Sequence, residues 1–344
     1  MNSFGIEAYA KEFIEIKTDD ELLQFIEMQK HNPKQIFLLG GGSNILFTGD
    51  YHGTVVKIST AGKEIIAEDD DNVLLKAAAG EEWDGLVDYC VSRGWGGLEN
   101  LSGIPGQVGS SPIQNIGAYG TEMKDHFEAV EGIFLCTGEK FVYDSERCQF
   151  DYRDSIFKRA LKGRIVITRV IFRLKKKPEF NLTYLALKQK LESEPSKEIT
   201  LQRIRNEILE IRSSKLPDPE VIGNAGSFFK NPVVKKPQLE ELRKRYPGIV
   251  YFNLTPSTPQ PPIPPLQKER GPGGEVKLSA GWLIEECGWK GYREGDAGVH
   301  KDQALVLVNY GKATGMEILE LAGRVQRSVK EKFGVVLDKE VNVV

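Results

Sequence analysis

Ser102-Gly103-Ile104-Pro105-Gly106-Gln107-Val108-Gly109-Ser110-Ser111-Pro112-Ile113-Gln114-Asn115-Ile116-Gly117-Ala118-Tyr119-Gly120 is the stretch on which the reading of this chain turns. Five glycines and two prolines in 19 residues exclude a helix or a central strand here. Large apolar residues nevertheless punctuate it. Such a composition suits a backbone wrapped around a large, planar, diphosphate-bearing cofactor. A long surface loop is the plain alternative, but a loop this rich in glycine rarely lacks a function. The stretch also fails the G-x-G-x-x-G template, because no helix followed by an acidic residue about 20 positions on comes after it. A nicotinamide-binding Rossmann domain is therefore a poor fit.

Upstream, the apolar run Gln35-Ile36-Phe37-Leu38-Leu39 reads as a strand leading into Gly40-Gly41-Gly42-Ser43-Asn44. Consecutive glycines let a backbone approach a ligand closely and aim N–H groups at phosphate oxygens. Ser43 and Asn44 add side-chain donors. A tight turn explains such a loop about as well. Between the two loops, Gly53–Ile58 and Val73–Ala77 read as strands, and Thr18-Asp19-Asp20-Glu21 as a capping box opening a helix that buries Leu22, Phe25 and Ile26. Trp83, Leu86, Val87, Cys90 and Val91 share one helical face, stopped at Gly94. Residues 127–175 are strand-rich. The first 175 residues thus predict an α+β region with its glycines gathered into two loops.

From Pro195 to Arg212 the pattern is helical, with Ile199, Ile204, Ile208 and Ile211 as its buried stripe, and Lys215-Leu216-Pro217-Asp218-Pro219 breaks it. The last third predicts helices over Ala280–Cys287 and Met316–Phe333, the latter ended by Gly334, and a terminal strand over Val335–Val341. Seven of the 17 prolines fall in 255–274, which reads as an inserted, extended or disordered loop.

The whole chain bounds the function. Its 344 residues suggest two or three domains, and 28% charged residues with a net charge of −3 point to no nucleic-acid footprint and no anionic membrane surface. No apolar run is long enough to cross a bilayer, and the N-terminus lacks the pattern of a signal peptide. Cys90, Cys136, Cys148 and Cys287 show neither C-x-x-C nor metal-ligand spacing, which fits a reducing compartment; a cytoplasmic location is expected. His31, His52, His126 and His300 have no partners at metal spacing, so no metal is expected.

Several further motifs stand in order along the chain: Asn2-Ser3-Phe4-Gly5-Ile6, Tyr152-Arg153-Asp154-Ser155-Ile156-Phe157-Lys158, Gly223-Asn224-Ala225-Gly226-Ser227-Phe228-Phe229-Lys230-Asn231-Pro232, Ala280-Gly281-Trp282-Leu283-Ile284 and Val299-His300-Lys301-Asp302-Gln303-Ala304-Leu305. With the two glycine loops they make the chain resemble the UDP-N-acetylenolpyruvoylglucosamine reductase family over nearly its whole length. The resemblance implies an α+β protein: an FAD-binding fold of the vanillyl-alcohol-oxidase type over 1–175 in two α+β subdomains, a lid and linker over 176–214, and an α+β substrate-binding domain over 215–344 carrying the proline-rich loop. It implies a monomer that uses NADPH to reduce UDP-N-acetylglucosamine enolpyruvate to UDP-N-acetylmuramate through non-covalent FAD; neither glycine loop holds a histidine or cysteine for covalent attachment. Gly40, Gly41, Gly42, Ser43, Asn44, Ile104, Pro105, Gly106, Gly109, Ser110, Asn115, Gly117, Ala118 and Tyr119 match the cofactor-binding positions.

Hydride delivery to the β carbon of an enol ether builds an enolate on the neighbouring carboxylate and leaves the α carbon to be protonated. That chemistry needs an enolate stabiliser and a proton donor. The resemblance places Arg153 in the first role, since a guanidinium can grip a carboxylate bidentately and stays charged. It places Ser227 in the second, with Glu340 assisting Arg153 or the proton relay. Lys339 stands where relatives often have a proline before that glutamate. Asn181-Leu182-Thr183-Tyr184 resembles the lid of one family type, which makes Tyr184 a closing tyrosine over the substrate. Lys215, Asn231, Lys290 and Gln303 match contacts to the sugar nucleotide. Two other readings remain open from sequence: another flavoprotein oxidase on the same fold, and a UDP-sugar-binding regulator without chemistry.

Overall fold

A computed structural model describes residues 2–31, 35–253 and 274–344; the proline-rich call at 255–274 lies outside the described residues except for Gly274. The chain divides into two compact units. The first is Glu7–Leu216 with Ser3 and Val344, the second Phe4–Ile6 with Pro217–Val343.

The first unit contains the short antiparallel pair Gly117–Ala118 and Thr121–Glu122 and two larger sheets. In the smaller, strand Tyr51–Ile58 lies between Ala10–Ile16 and Ile36–Leu39, both parallel to it. Parallel neighbours need a crossover, and helix Asp19–His31 supplies it. That helix opens on the expected capping box: Thr18 Oγ1 accepts from Glu21 N at 3.2 Å, and Glu21 Oε2 accepts from Thr18 N at 3.2 Å. Leu22, Phe25 and Ile26 are buried beneath it. The larger sheet is antiparallel, in the order Lys140–Tyr143, Phe127–Phe134, Ile165–Lys175, Asn72–Ala78, Lys63–Glu68. The continuous apolar run in Ile165–Lys175 follows from its central place, where both faces are covered. Helix Trp83–Ser92 buries Trp83, Leu86, Val87, Cys90 and Val91, the face its spacing predicts. Trp83 Nε1 donates to the Leu101 carbonyl at 2.9 Å, which fixes the entry to the long glycine loop.

The segment 176–216 corrects one expectation. The helical pattern begins not at Pro195 but at Leu201: helices Leu185–Ser193 and Leu201–Lys215 form a hairpin, and the residues between them make the turn. Thr200 caps the second helix, its hydroxyl accepting from Arg203 N at 3.1 Å. Ile199 lies outside the helix yet still packs on the hairpin core of Leu187, Leu191, Ile204, Ile208 and Ile211.

The second unit is a sheet ordered Gly223–Ser227, Val306–Asn309, Ala297–Val299, Arg293–Glu294, and a smaller one in which Glu275–Leu278 lies between Val233–Lys235 and Tyr251–Asn253. Helix Gly315–Phe333 begins at a Thr314/Glu317 capping box and ends at Gly334, whose φ of 67° only glycine adopts without strain. Phe4 belongs here: its carbonyl accepts from Asn309 Nδ2 at 3.0 Å. The terminal strand expected over Val335–Val341 is not formed. The segment is extended, with Val335, Leu337 and Val341 buried, and is tied by a single bridge between Lys339 and Phe229. Its alternating apolar pattern serves packing and not a continuous ladder.

Candidate active site

The two glycine loops of the first unit lie against each other. Ser43 Oγ donates to the Pro105 carbonyl at 3.2 Å and Asn44 Nδ2 to Gln114 Oε1 at 2.8 Å. A Cβ on Gly41 would come within 3.0 Å of Gly106 Cα, and one on Gly109 within 2.6 Å of Ala79 Cβ. Gly106, at φ 118°, has Ser43 Oγ where its own Cβ would stand, 2.9 Å away. The close approach thus needs bare backbone on both sides. Gly41, Pro105 and Ser110 stay exposed along the rim, Gly40, Ser43, Ile104, Gly106 and Gly109 are half-buried, and Gly42 is buried. A rim of bare backbone with hydroxyl and amide donors behind it is the donor set a diphosphate needs, so these residues fit an FAD pyrophosphate.

Downstream, the loop is held in an unusual conformation. Among the described residues, Asn115, Tyr119, Gln149 and Arg153 are the non-glycine positions with positive φ, and three of the four belong to or touch this loop. Left-handed backbone costs an L-residue roughly 1–2 kcal/mol, so each must be held by its surroundings. Asn115, fully buried, donates to the Asp151 carbonyl at 3.1 Å and accepts from Lys124 N at 3.1 Å. The Tyr119 carbonyl accepts from the buried Asn100 at 2.8 Å. Arg153 donates to the Asn115 carbonyl at 3.4 Å and to the Gly117 carbonyl. A Cβ on Gly117 would lie 2.8 Å from Arg153 Nη1. The half-buried guanidinium is therefore fixed on the loop next to Ala118.

Tyr119 also meets the hairpin. Its ring packs edge-on against Tyr184 at 4.9 Å between centroids, and its hydroxyl accepts from Arg212. Burial pushes the Tyr119 phenol above its ordinary value despite the opposing Arg212 charge. Tyr184 is the residue before helix Leu185–Ser193, not the end of a strand, and Lys215 closes the partner helix with its Nζ 5.8 Å from the Tyr184 ring. The antiparallel hairpin thus brings Tyr184 and Lys215 to one end. Sequence could not place Arg212, Asn100 or Gln114 in this site; each acts through a long-range contact that no local pattern signals.

In the second unit, the register between Gly223–Ser227 and Val306–Asn309 breaks between Asn224 and Ser227, with Gly226 at φ 67°. Buried Asn224 fixes the bulge, accepting from Gly226 N at 2.9 Å and donating to the Pro217 and Ile222 carbonyls. Bulges re-aim the next side chain, and here that is the half-buried Ser227. Phe228 N donates to the Leu305 carbonyl at 2.8 Å, and Glu340 N donates to the Phe228 carbonyl at 2.8 Å. Glu340 thus lies opposite Phe228, the residue after Ser227. Asn231 Oδ1 accepts from Ala280 N at 2.9 Å, at the start of helix Ala280–Glu286. Gln303 Oε1 lies 3.6 Å from where a Cβ of Gly281 would stand. The Lys290 ammonium pairs with Glu285 at 2.8 Å, near the C-terminal end of that helix.

A bare-backbone cradle in an α+β unit defines an FAD-binding protein, and residues 10–141 match the FAD binding domain family. Residues 218–344 match the family described as UDP-N-acetylenolpyruvoylglucosamine reductase, C-terminal domain. The chain is 45% identical to the UDP-N-acetylenolpyruvoylglucosamine reductase of Flavobacterium johnsoniae, over 100% of this chain and 96% of that protein. It is 45% identical to that of Chromobacterium violaceum, over 98% and 95% respectively. A solved UDP-N-acetylenolpyruvylglucosamine reductase from Thermus caldophilus superposes with a TM-score of 0.63 and 27% identity, covering 99% of this chain and 95% of that one. The chain belongs to the UDP-N-acetylenolpyruvoylglucosamine reductase family and is an FAD-dependent oxidoreductase. Among the described residues, no helix is long and apolar enough to cross a membrane.

Proposed function

We propose that this enzyme uses NADPH to reduce the enolpyruvyl group of UDP-N-acetylglucosamine enolpyruvate, giving UDP-N-acetylmuramate for peptidoglycan synthesis. When bound, FAD would supply the hydride-transfer chemistry that links NADPH to the substrate. The cradle of Gly40–Asn44 and Ile104–Ser110 holds the pyrophosphate, while Asn115, Gly117, Ala118 and Tyr119 shape the loop around the rest of the group.

Arg153 receives the charge that develops on the substrate carboxylate. Its bonds to the loop carbonyls of Asn115 and Gly117 fix the plane of the guanidinium fork. Ser227 gives the proton to the α carbon from its Oγ, and Glu340 restores it. Tyr184 covers the substrate, Lys215 and Lys290 meet its diphosphate, and Asn231 and Gln303 hold the sugar nucleotide. The enzyme works in the cytoplasm as a monomer; four free cysteines support the reducing compartment. The 1–175, 176–214 and 215–344 segments are its cofactor, lid and substrate parts.

The observation that carries this reading is Arg153: a guanidinium locked at a left-handed backbone position onto the cofactor loop, where an anion stabiliser must stand. To test it, the bound flavin is reduced anaerobically and UDP-N-acetylglucosamine enolpyruvate is added. Fast reoxidation without oxygen is expected. Reoxidation only after admitting air would instead make the protein an oxidase.

A further inference from the structure

Arg205 is a cation on helix Leu201–Lys215 that is only 7% exposed. Its guanidinium grips Asp84 in a fork, Nη1 to Oδ1 at 2.6 Å and Nη2 to Oδ2 at 2.8 Å, while its Nε reaches Asp88 at 3.0 Å. Asp84 and Asp88 stand one turn apart on helix Trp83–Ser92, so one face of that helix receives the whole fork. The same Asp84 Oδ1 accepts from Gly103 N at 2.6 Å. One carboxylate therefore joins three elements: the Trp83–Ser92 helix, the hairpin, and the start of the cofactor loop. Burial disfavours a charged Asp84, but the Arg205 guanidinium and the Gly103 N–H outweigh it and hold the carboxyl below the usual aspartate range.

The junction has no slack. Gly103 sits at φ 69°, and a Cβ there would lie 2.8 Å from Leu209 Cδ2 and 3.1 Å from Arg212 Cδ. The hairpin itself is stiff. Arg203 donates to the Leu191 carbonyl at 3.0 Å, the Glu194 carbonyl at 3.2 Å and the Lys197 carbonyl, closing the end of helix Leu185–Ser193. Lys190 pairs across to Glu207 at 3.5 Å and Glu210 at 2.5 Å. A displacement at Arg205 is thus carried along ten residues of helix, about 15 Å, to Lys215 and its neighbour Tyr184.

We propose that Arg205 is a positioning residue for the reduction: through Asp84 and Asp88 it sets the register of the hairpin against the cofactor loop, and so fixes Tyr184 and Lys215 over the sugar nucleotide. The inference rests on the reading of those two side chains as substrate contacts. Arginine is required because lysine cannot fill a fork that takes both oxygens of one carboxylate and a second carboxylate besides.

The test uses FAD-loaded, full-length enzyme and the variants Arg205→Met, Arg205→Lys, Lys215→Ala and Arg205→Met/Lys215→Ala. Flavin reduction by saturating NADPH and reoxidation by UDP-N-acetylglucosamine enolpyruvate are measured separately. Arg205→Met is expected to raise the KM for the sugar nucleotide about tenfold, with Arg205→Lys in between. It should leave NADPH-driven flavin reduction within about twofold of wild type. In the Lys215→Ala background the same change should add clearly less than the full tenfold, because only Tyr184 is then left for the hairpin to position. An unchanged KM, a full tenfold loss in the Lys215→Ala background, or equal losses in both half-reactions would overturn the proposal. If Arg205→Met does not retain flavin, Asp88→Asn, which weakens one arm of the clamp, carries the same pair of measurements. A wild-type enzyme that fails to reduce the enolpyruvyl sugar sinks the functional reading itself; a competent wild type with an unchanged KM in the variants sinks the Arg205 role alone.

Discussion

The cofactor loop of the first unit and the Ser227 corner of the second present their chemistry by opposite means. The loop works by omission: Gly41, Gly106, Gly109 and Gly117 leave space that neighbouring backbone and side chains already fill to contact. Its conformation is over-determined, with Asn115, Tyr119 and Arg153 all held in left-handed backbone. The Ser227 corner works by presentation. A bulge fixed by Asn224 turns out the half-buried Ser227 hydroxyl beside the buried Phe228 and Phe229. In the loop, adding an atom is the damaging change. At the corner, removing one is.

The comparison breaks most readily at Gly109. Its Cβ in a Gly109→Val variant would start 2.6 Å from Ala79 Cβ and 3.1 Å from the Ala79 carbonyl oxygen, beneath the rim of the cradle. Overpacking of this kind costs about 1–3 kcal/mol, and the loop has no flexible neighbour to absorb it. The variant is expected to purify without its yellow chromophore and with a lowered melting temperature. A fully flavinated Gly109→Val enzyme would show that the cradle is not where the cofactor sits. Ser227→Ala is the converse: it removes one oxygen from a half-buried position where nothing collapses. Reduction of the enolpyruvyl sugar should slow by roughly 10²–10⁴-fold, while flavin content, melting temperature and reduction by NADPH hold. Equal loss in both half-reactions would remove Ser227 from the proton-donor role.

The same contrast explains what the sequence made legible. The long loop announces itself because five glycines and two prolines in 19 residues suit no core element, whereas Gly40-Gly41-Gly42 alone reads as well as a tight turn. The amphipathic face of helix Trp83–Ser92 and the capping boxes at Thr18 and Thr314 are local devices, and local patterns report them. The 335–341 segment misled because alternating apolar residues satisfy packing as well as they satisfy a ladder; only the Lys339–Phe229 bridge formed. The start of the second hairpin helix was set by the Thr200 cap, which outcompeted the longer apolar periodicity running back to Ile199. The Arg205–Asp84 clamp spans 121 positions, and no spacing rule could have joined the two residues.

Acid should sharpen the view of the first unit. Asp84 is paired with Arg205, lies near Asp88 and Arg212, and titrates below its ordinary value. A depressed carboxyl contributes stability that is fully present above the unfolded-state value of about 3.9 and is lost as pH falls through the lower folded-state value. Denaturant midpoints of the wild type should therefore fall over that acid window, and Asp84→Asn should flatten the curve while lowering its plateau near neutral pH. Parallel curves for the two proteins would mean that the clamp adds no pH-dependent stability.

The smallest effect is expected at Lys290, and it tests the other side of the comparison. Its ammonium is about a third exposed and already paired with Glu285 at 2.8 Å. To meet a diphosphate it must exchange one carboxylate for another anion, so much of any attraction is offset by the pair it gives up. Exposed ion pairs contribute no more than about 1 kcal/mol, so Lys290→Ala should scarcely move the melting temperature. Its KM for the sugar nucleotide should rise by only about two- to fivefold, with kcat unchanged, as expected for a contact equally strong in ground and transition states. Glu285→Gln would then free the ammonium and lower KM. If instead Lys290→Ala raised KM as much as Arg205→Met, the corner would not be an open surface with loosely held side chains, and Lys290 would have to be a fixed element of the site.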